Sequence, residues 1–182
     1  MQLSFASNRL SYTPMTKKHI PLAFALHSHP EVAQYNTIGV PKNESVTARI
    51  LAEKINPENP KNLGWALYDI SQQFIGEMGL ILSPERFQKA EISYSISPAH
   101  WNQGYATEAV KKGLEFAFMT LRLHRIEAGV AVANLPSIRV LEKVGMKREG
   151  QHKEILPLPS GWSDNYSYAI LREDYLRGTN QA

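Results

Sequence analysis

The stretch Trp101-Asn-Gln-Gly-Tyr-Ala-Thr-Glu-Ala109 holds the densest set of residues able to do chemistry in this sequence. It follows Glu91-Ile-Ser-Tyr-Ser-Ile-Ser97, where Ile92, Tyr94 and Ile96 alternate with serines in the period of a strand. Pro98 ends that strand, and after Gly104 the period changes. Ala106, Ala109, Val110, Gly113, Leu114, Ala117 and Leu121 recur at helical spacing. The loop therefore feeds a helix N-terminus, where the first main-chain N–H groups have no intrahelical acceptor. Those donors and the positive end of the helix dipole make an anion site suited to a pyrophosphate. Gly104 lets backbone approach a ligand closely, and Ala106 keeps a second approach narrow. No Lys follows the glycine, and the further glycines of a dinucleotide fingerprint are missing, so Walker A and Rossmann assignments both fail.

Other polar clusters say less. His27 and His29 are spaced like metal ligands but have no carboxylate or third ligand nearby in sequence, so surface or capping roles are expected and no metal site. The absence of cysteine excludes disulfides, thiolate metal sites and a cysteine acyl carrier. A net charge of +3 suits a polyanionic ligand and is too small and scattered to argue for nucleic acid. No long apolar run or leader-like segment occurs, which points to a cytoplasmic protein without a membrane partner. At 182 residues the chain suits one well-buried core, and one domain is expected over 1–182, with its core at about 7–175.

The elements that would position the loop can be read in order. A strand is expected around Arg9–Tyr12, a helix opening at Pro14 and ended by Pro30, and a second helix over Asn43–Ile55 capped by Asn43 or Ser45. Asn56–Asn62 reads as a loop; Leu63–Ile70 and Phe74–Leu82 read as strands joined by Ser71–Gln73. Arg125–Val132 is a further strand, Ser137–Val144 a short helix closed by Gly145, and Lys147–Ile155 a strand. Pro157–Asp164 reads as a loop and Asn165–Leu171 as the closing strand. The order predicts an α+β domain around a mixed sheet.

Trp101 through Ala109 resembles the acetyl-CoA-binding motif of the GCN5-related N-acetyltransferases, whose pattern is Gln/Arg-x-x-Gly-x-Gly/Ala. The match lies at Gly104 and Ala106, and the departure at Trp101 resembles the branch that acetylates ribosomal-protein N-termini. The resemblance implies a mixed, mostly antiparallel sheet with splayed middle strands, flanked by about four helices. It implies acetyl-CoA as cosubstrate, with Asn102, Gln103, Gly104, Tyr105, Ala106 and Thr107 around the pyrophosphate. Backbone groups of Tyr94, Ser95 and Ile96 would be left free by the splay, an N–H near Ile96 facing the thioester carbonyl.

Asn134 and Leu141-Glu-Lys-Val-Gly-Met146 resemble the second cofactor motif of that family. Many members carry a proton-donating tyrosine seven residues after the asparagine; here that position is Leu141, which cannot donate. Ser137 is the substitute the resemblance offers, its hydroxyl bonding the leaving sulfur, and it also stands where a helix N-cap belongs. Glu91 is the first choice of general base and Asp164 the second, each also readable as an ion-paired or solvated carboxylate. Glu108 suits the helix dipole and would point away from a pyrophosphate. Tyr35, Trp65, Trp162 and Tyr166 are candidates for the acceptor groove.

The activity implied is acetyl transfer to a primary amine by direct attack in a ternary complex. The acceptor is a protein N-terminal α-amine or a small-molecule amine such as a polyamine or antibiotic. A non-turnover CoA-binding regulatory module and a nucleotide-binding module are the rival readings, and the chain is expected to be a monomer or homodimer.

Overall fold

Alternating and continuous apolar runs along this chain pair into one sheet in the computed structural model, which describes residues 4–55 and 61–179. The strands are β1 (Phe5–Ala6), β2 (Ser11–Pro14), β3 (Asn62–Tyr68), β4 (Phe74–Leu82), β5 (Lys89–Ile96), β6 (Arg125–Ala131), β7 (Lys147–Leu158) and β8 (Gly161–Leu171). Their spatial order is β1-β2-β3-β4-β5-β6-β8-β7. Every neighbouring pair is antiparallel except β5 and β6, which run parallel. The α-helices are α1 (Ile20–His27), α2 (Pro30–Ala33), α3 (Glu44–Ile55), α4 (Tyr105–Glu115), α5 (Leu135–Lys143) and α6 (Arg172–Thr179). The α+β class and mostly antiparallel sheet follow the expectation. Six α-helical segments stand among the described residues where about four were expected, the additions being the single turn α2 and the last helix, α6.

The two faces of the sheet carry different helices. A Cβ on Gly113 of α4 would stand 2.7 Å from Met78 Sδ and 3.0 Å from Ile92 Cδ1, so α4 lies tightly on the face formed by those residues. Trp65 belongs to the same interior, 1% exposed and set edge-on to Phe5 and Phe116. It is core, and its expected place in the acceptor groove is corrected. On the opposite face the Lys54 stem of α3 crosses Gly64 and Gly79, where any Cβ would crowd it at 2.9 to 3.4 Å.

Under α1 and α3 lies a buried ionic cluster. Glu77 on β4 is 5% exposed, and its Oε1 lies 3.3 Å from both His27 Nε2 and Lys54 Nζ. His27 is thus a buried partner of a carboxylate distant in sequence, which corrects the surface or capping role expected for it. Asn43 does cap α3, its Oδ1 accepting from Val46 N–H at 3.2 Å. Most of the expected loop Asn56–Asn62 lies outside the described residues.

The C-terminal part differs most from expectation. Residues 157–158 and 161–164 are strand rather than loop, because β7 and β8 form one long hairpin closed by a turn at Pro159 and Ser160. Two register shifts in β7 absorb the mismatch between the paired strands. Among the described residues no helix is long and apolar enough to cross a membrane.

Burial alone would raise the Glu77 carboxyl, but the charge of Lys54 and the hydrogen bond from His27 outweigh it and hold the group at about 2. A folded-state value below the ordinary one means the cluster stabilises fully above about pH 4.5 and fails as pH falls toward 2. Denaturant titrations from pH 6 to pH 2 should therefore show stability dropping in that window. Glu77→Ala should flatten that dependence and cost about 3 kcal/mol by leaving the buried His27 imidazole and the Lys54 ammonium without their carboxylate partner.

Candidate active site

The β5–β6 ladder stops early. The strands pair only over Lys89↔Arg125, Ala90↔Ile126 and Glu91↔Glu127, and then diverge. On the other edge of β5 the ladder with β4 continues, and Ser97 N–H donates to the Ile75 carbonyl at 2.8 Å. Main-chain groups alternate sides along a strand, so Ser93, Ser95 and Ser97 face β4 while Tyr94 and Ile96 face the gap left by β6. Tyr94 and Ile96 are thus the expected residues whose main chain lies on the open side of β5. Ser95 is corrected: its amide and carbonyl belong to the β4 ladder opposite Glu77. The Ile96 carbonyl accepts the Trp101 indole N–H at 2.6 Å, tying the end of β5 to the loop.

A cavity of ≈ 290 Å³ occupies the fork, with Glu91, Ser93 and Tyr94 of β5, residues 128–131 of β6, Asn134 and Ser137 among its lining. Gly129, whose main chain faces β5 beyond the last pair, brings its amide near the Glu91 carboxylate, where it favours the charged form. Burial raises the Glu91 carboxyl above its ordinary value and the nearby Glu127 charge raises it further, against that amide and Lys89. Glu127 is already committed to Lys89 Nζ and Arg125 Nε, each at 2.8 Å. Glu91 is the carboxylate that faces the cavity.

Asp164, the other base candidate, is engaged elsewhere. Lys153 Nζ at 2.8 Å, the Glu154 amide at 2.9 Å and Gln151 Nε2 hold its carboxyl at about 2, which leaves it a poor proton acceptor. Of the aromatic candidates, Tyr35 lines the cavity and its hydroxyl donates to the Ala133 carbonyl at 3.2 Å. Tyr166 lies under the Arg148 guanidinium on the outer strands, and Trp162 is 68% exposed near the hairpin turn.

The loop ahead of α4 is wound for exposed donors. Asn102 and Gly104 both have positive φ, +59° and +82°, a conformation glycine takes freely and asparagine tolerates. Gly104 is the N-cap, no side chain caps the helix, and the first intrahelical bond runs from Glu108 N–H to the Gly104 carbonyl at 3.0 Å. The amides of Tyr105, Ala106 and Thr107 precede that bond, so they are the helix's free donors. Gln103 turns its side chain to the Ala99 carbonyl at 3.1 Å. These features fit a diphosphate.

Sequence reasoning missed Arg9, which stands 94 positions before Gln103 and carries no local signal. Its Nη1 donates to the Gln103 carbonyl at 3.0 Å, its Nε donates to Glu108 at 2.7 Å, and its guanidinium lies 4.4 Å from the Tyr105 ring centroid. Glu108 thus points back toward Ser7 and Arg9, as its expected structural role requires.

On α5, Asn134 is the N-cap, its Oδ1 accepting from Ser137 N–H at 3.2 Å. Ser137 is therefore not the cap, which corrects that alternative. With Pro136 at the second helical position, Ser137 is the third residue of α5, and its hydroxyl meets the Tyr94 hydroxyl at 2.7 Å. Leu141 lines the same cavity from the helix interior, 1% exposed.

The family model described as an acetyltransferase (GNAT) domain matches residues 9–147. The uncharacterized N-acetyltransferase p20 of Bacillus licheniformis is 29% identical over 172 residues, covering 93% of this chain and 96% of that one. A GNAT-family acetyltransferase structure from Bacillus anthracis superposes with a TM-score of 0.81 at 31% identity, over 93% of this chain and 99% of that one. The spermidine N-acetyltransferase of Vibrio cholerae, solved with CoA and spermine, gives 0.84 at 21% identity over 93% and 99%.

Gly104→Val forces a β-branched residue into positive φ and crowds Arg9 Nη2, 3.4 Å from the Cβ position. It should weaken CoA binding at least tenfold in calorimetry. Arg9→Ala, which releases the Gln103 carbonyl and Glu108, should weaken it about tenfold.

Proposed function

The chain belongs to the GNAT acetyltransferase family, an acetyl-CoA-dependent group of enzymes, and from that premise we propose that it acetylates the α-amine of a protein N-terminus. Acetyl-CoA supplies an activated acetyl group as a thioester, and the whole chain works as one catalytic domain. The observation that carries this reading is the fork between β5 and β6, where Glu91 and Ser137 border one cavity.

Each residue has a definite task in direct attack. Residues 102–107 hold the diphosphate with main-chain N–H groups. The Ile96 N–H, fixed by β5 and facing the gap, stabilises negative charge on the thioester oxygen, where a preorganised donor acts most strongly. Asn134 shapes the channel beside α5. As the neutral amine forms its bond to the thioester carbon, Glu91 accepts the proton that nitrogen must lose, directly or through water, and its raised carboxyl suits that task better than Asp164 does. Ser137 gives its hydroxyl hydrogen bond to the departing sulfur, the task that Leu141 cannot perform.

Charge and shape support an α-amine over a polyamine. A polyamine carries several separated ammonium groups and calls for several carboxylates, whereas among the described residues Glu91 is the sole acidic side chain lining the cavity. The cavity also takes Tyr35 and Leu156 into its wall, and Ile38, Val40 and Ile155 are exposed on the segments that carry those two residues. Gly39 brings the first of these segments against the hairpin turn, its Cβ position 3.5 Å from Pro159 Cγ. An extended peptide with small or apolar leading residues matches this mouth.

Mass-spectrometric assay of N-terminal peptides beside spermidine, spermine and aminoglycosides tests the acceptor. Peptide α-acetylation is expected, and turnover confined to the small amines would overturn it. With a peptide acceptor, kcat/KM should rise with pH toward the α-amine value of about 8. Glu91→Gln should lower kcat by about a hundredfold with little change in acetyl-CoA affinity.

A further inference from the structure

Tyr94 enters the site twice: its main chain faces the fork, and its phenol crosses to α5. The hydroxyl is partly buried and meets two oxygens of one residue, Ser137 Oγ at 2.7 Å and the Ser137 carbonyl at 3.4 Å. Of these two acceptors for the phenol proton, the carbonyl is at the long limit of a hydrogen bond. The short contact is therefore best made by Tyr94 donating to Ser137 Oγ. An Oγ that accepts there must aim its own proton elsewhere, and Ser137 borders the cavity of the fork. The Ser137 amide is bonded to Asn134, so the residue is held from both ends.

We infer that Tyr94 is a positioning residue whose hydroxyl orients and polarises Ser137 so that the serine proton points at the departing sulfur. This rests on the role proposed for Ser137 and deepens it. In the step it serves, the carbon–sulfur bond breaks, sulfur leaves with the electron pair, and the amine's extra proton goes to Glu91. Ser137 and Tyr94 both keep their own protons and act by hydrogen bonding alone. Burial pushes the Tyr94 phenol up to about 12, against about 8.5 for an ordinary thiol. That gap of roughly three powers of ten makes phenol-to-sulfur proton transfer unfavourable and leaves donation through Ser137 as its contribution. Chained hydroxyls polarise one another, so the serine becomes a stronger donor to a thiolate than it would be alone.

The test uses CoA itself as probe, with desulfo-CoA as control, and reads binding rather than turnover. In wild type, CoA affinity should rise about tenfold from pH 7 to pH 10 relative to desulfo-CoA, because the site prefers thiolate. Tyr94→Phe should lose most of that rise, read against its own desulfo-CoA affinity, with thermal melting as the check that it folds. Ser137→Ala should lose it entirely, Ser137→Thr should keep it, and adding Tyr94→Phe to Ser137→Ala should change nothing further. If Tyr94→Phe disturbs folding, 3-fluorotyrosine at position 94, a stronger donor of nearly the same size, should enlarge the rise. A full rise in Tyr94→Phe, additive losses, or no response to fluorination would overturn the Tyr94 role alone. No rise in wild type would overturn the Ser137 role and the inference with it.

Discussion

The rest of the molecule depends on an interruption: β5 and β6 are hydrogen-bonded for three residue pairs and then separate. A continuous ladder would have consumed the amides of Tyr94 and Ile96 in pairing, and no slot would exist between the strands. Two features of the sequence oppose continuation. Glu91 and Glu127 stand opposite each other at the last pair, and like charges facing across strands disfavour pairing. Gly129, the next β6 residue whose main chain faces β5, has no side chain to pack and so weakens a continued strand, and its amide lies near the Glu91 carboxylate.

The elements around the fork hold it open from both faces. α4 lies so close to β4 and β5 that Gly113 has no room for a side chain, which fixes where its N-terminal amides sit. Arg9 ties the N-terminal segment to Gln103 and Glu108, so the turn ahead of α4 is clamped from outside. On the other face, α1 and α3 are fastened by the Glu77, His27 and Lys54 cluster one strand away. A buried cluster of this kind adds little net stability over apolar packing, yet it permits few alternative placements of the two helices. The two faces of the fork are thereby set by different elements meeting at one opening.

Much of this was legible in single stretches of sequence. The alternation in Glu91–Ser97, the break at Pro98 and the helical spacing after Gly104 are local patterns, and each corresponds to a local element. The boundaries of β4 are visible in the apolar run from Phe74 to Leu82. Residues 157–158 and 161–164 were misread because Pro157, Pro159 and Gly161 look like loop punctuation. Their strand character comes from pairing across a hairpin with two register shifts. Trp65 was misassigned for a related reason: an aromatic residue on a strand can face either layer, and only the packed helices decide which is interior.

By itself the sequence determined the order of most elements, the turn that opens α4 at Gly104 and the family, because these rest on residues adjacent in the chain. Tertiary structure alone decided that Asn134 takes the cap and frees the Ser137 hydroxyl, that Tyr94 meets it, that Asp164 is spent on Lys153, and that Arg9 braces a turn far along the chain. Each of those facts is a choice among partners. Such a choice depends on distances between elements that only folding brings together.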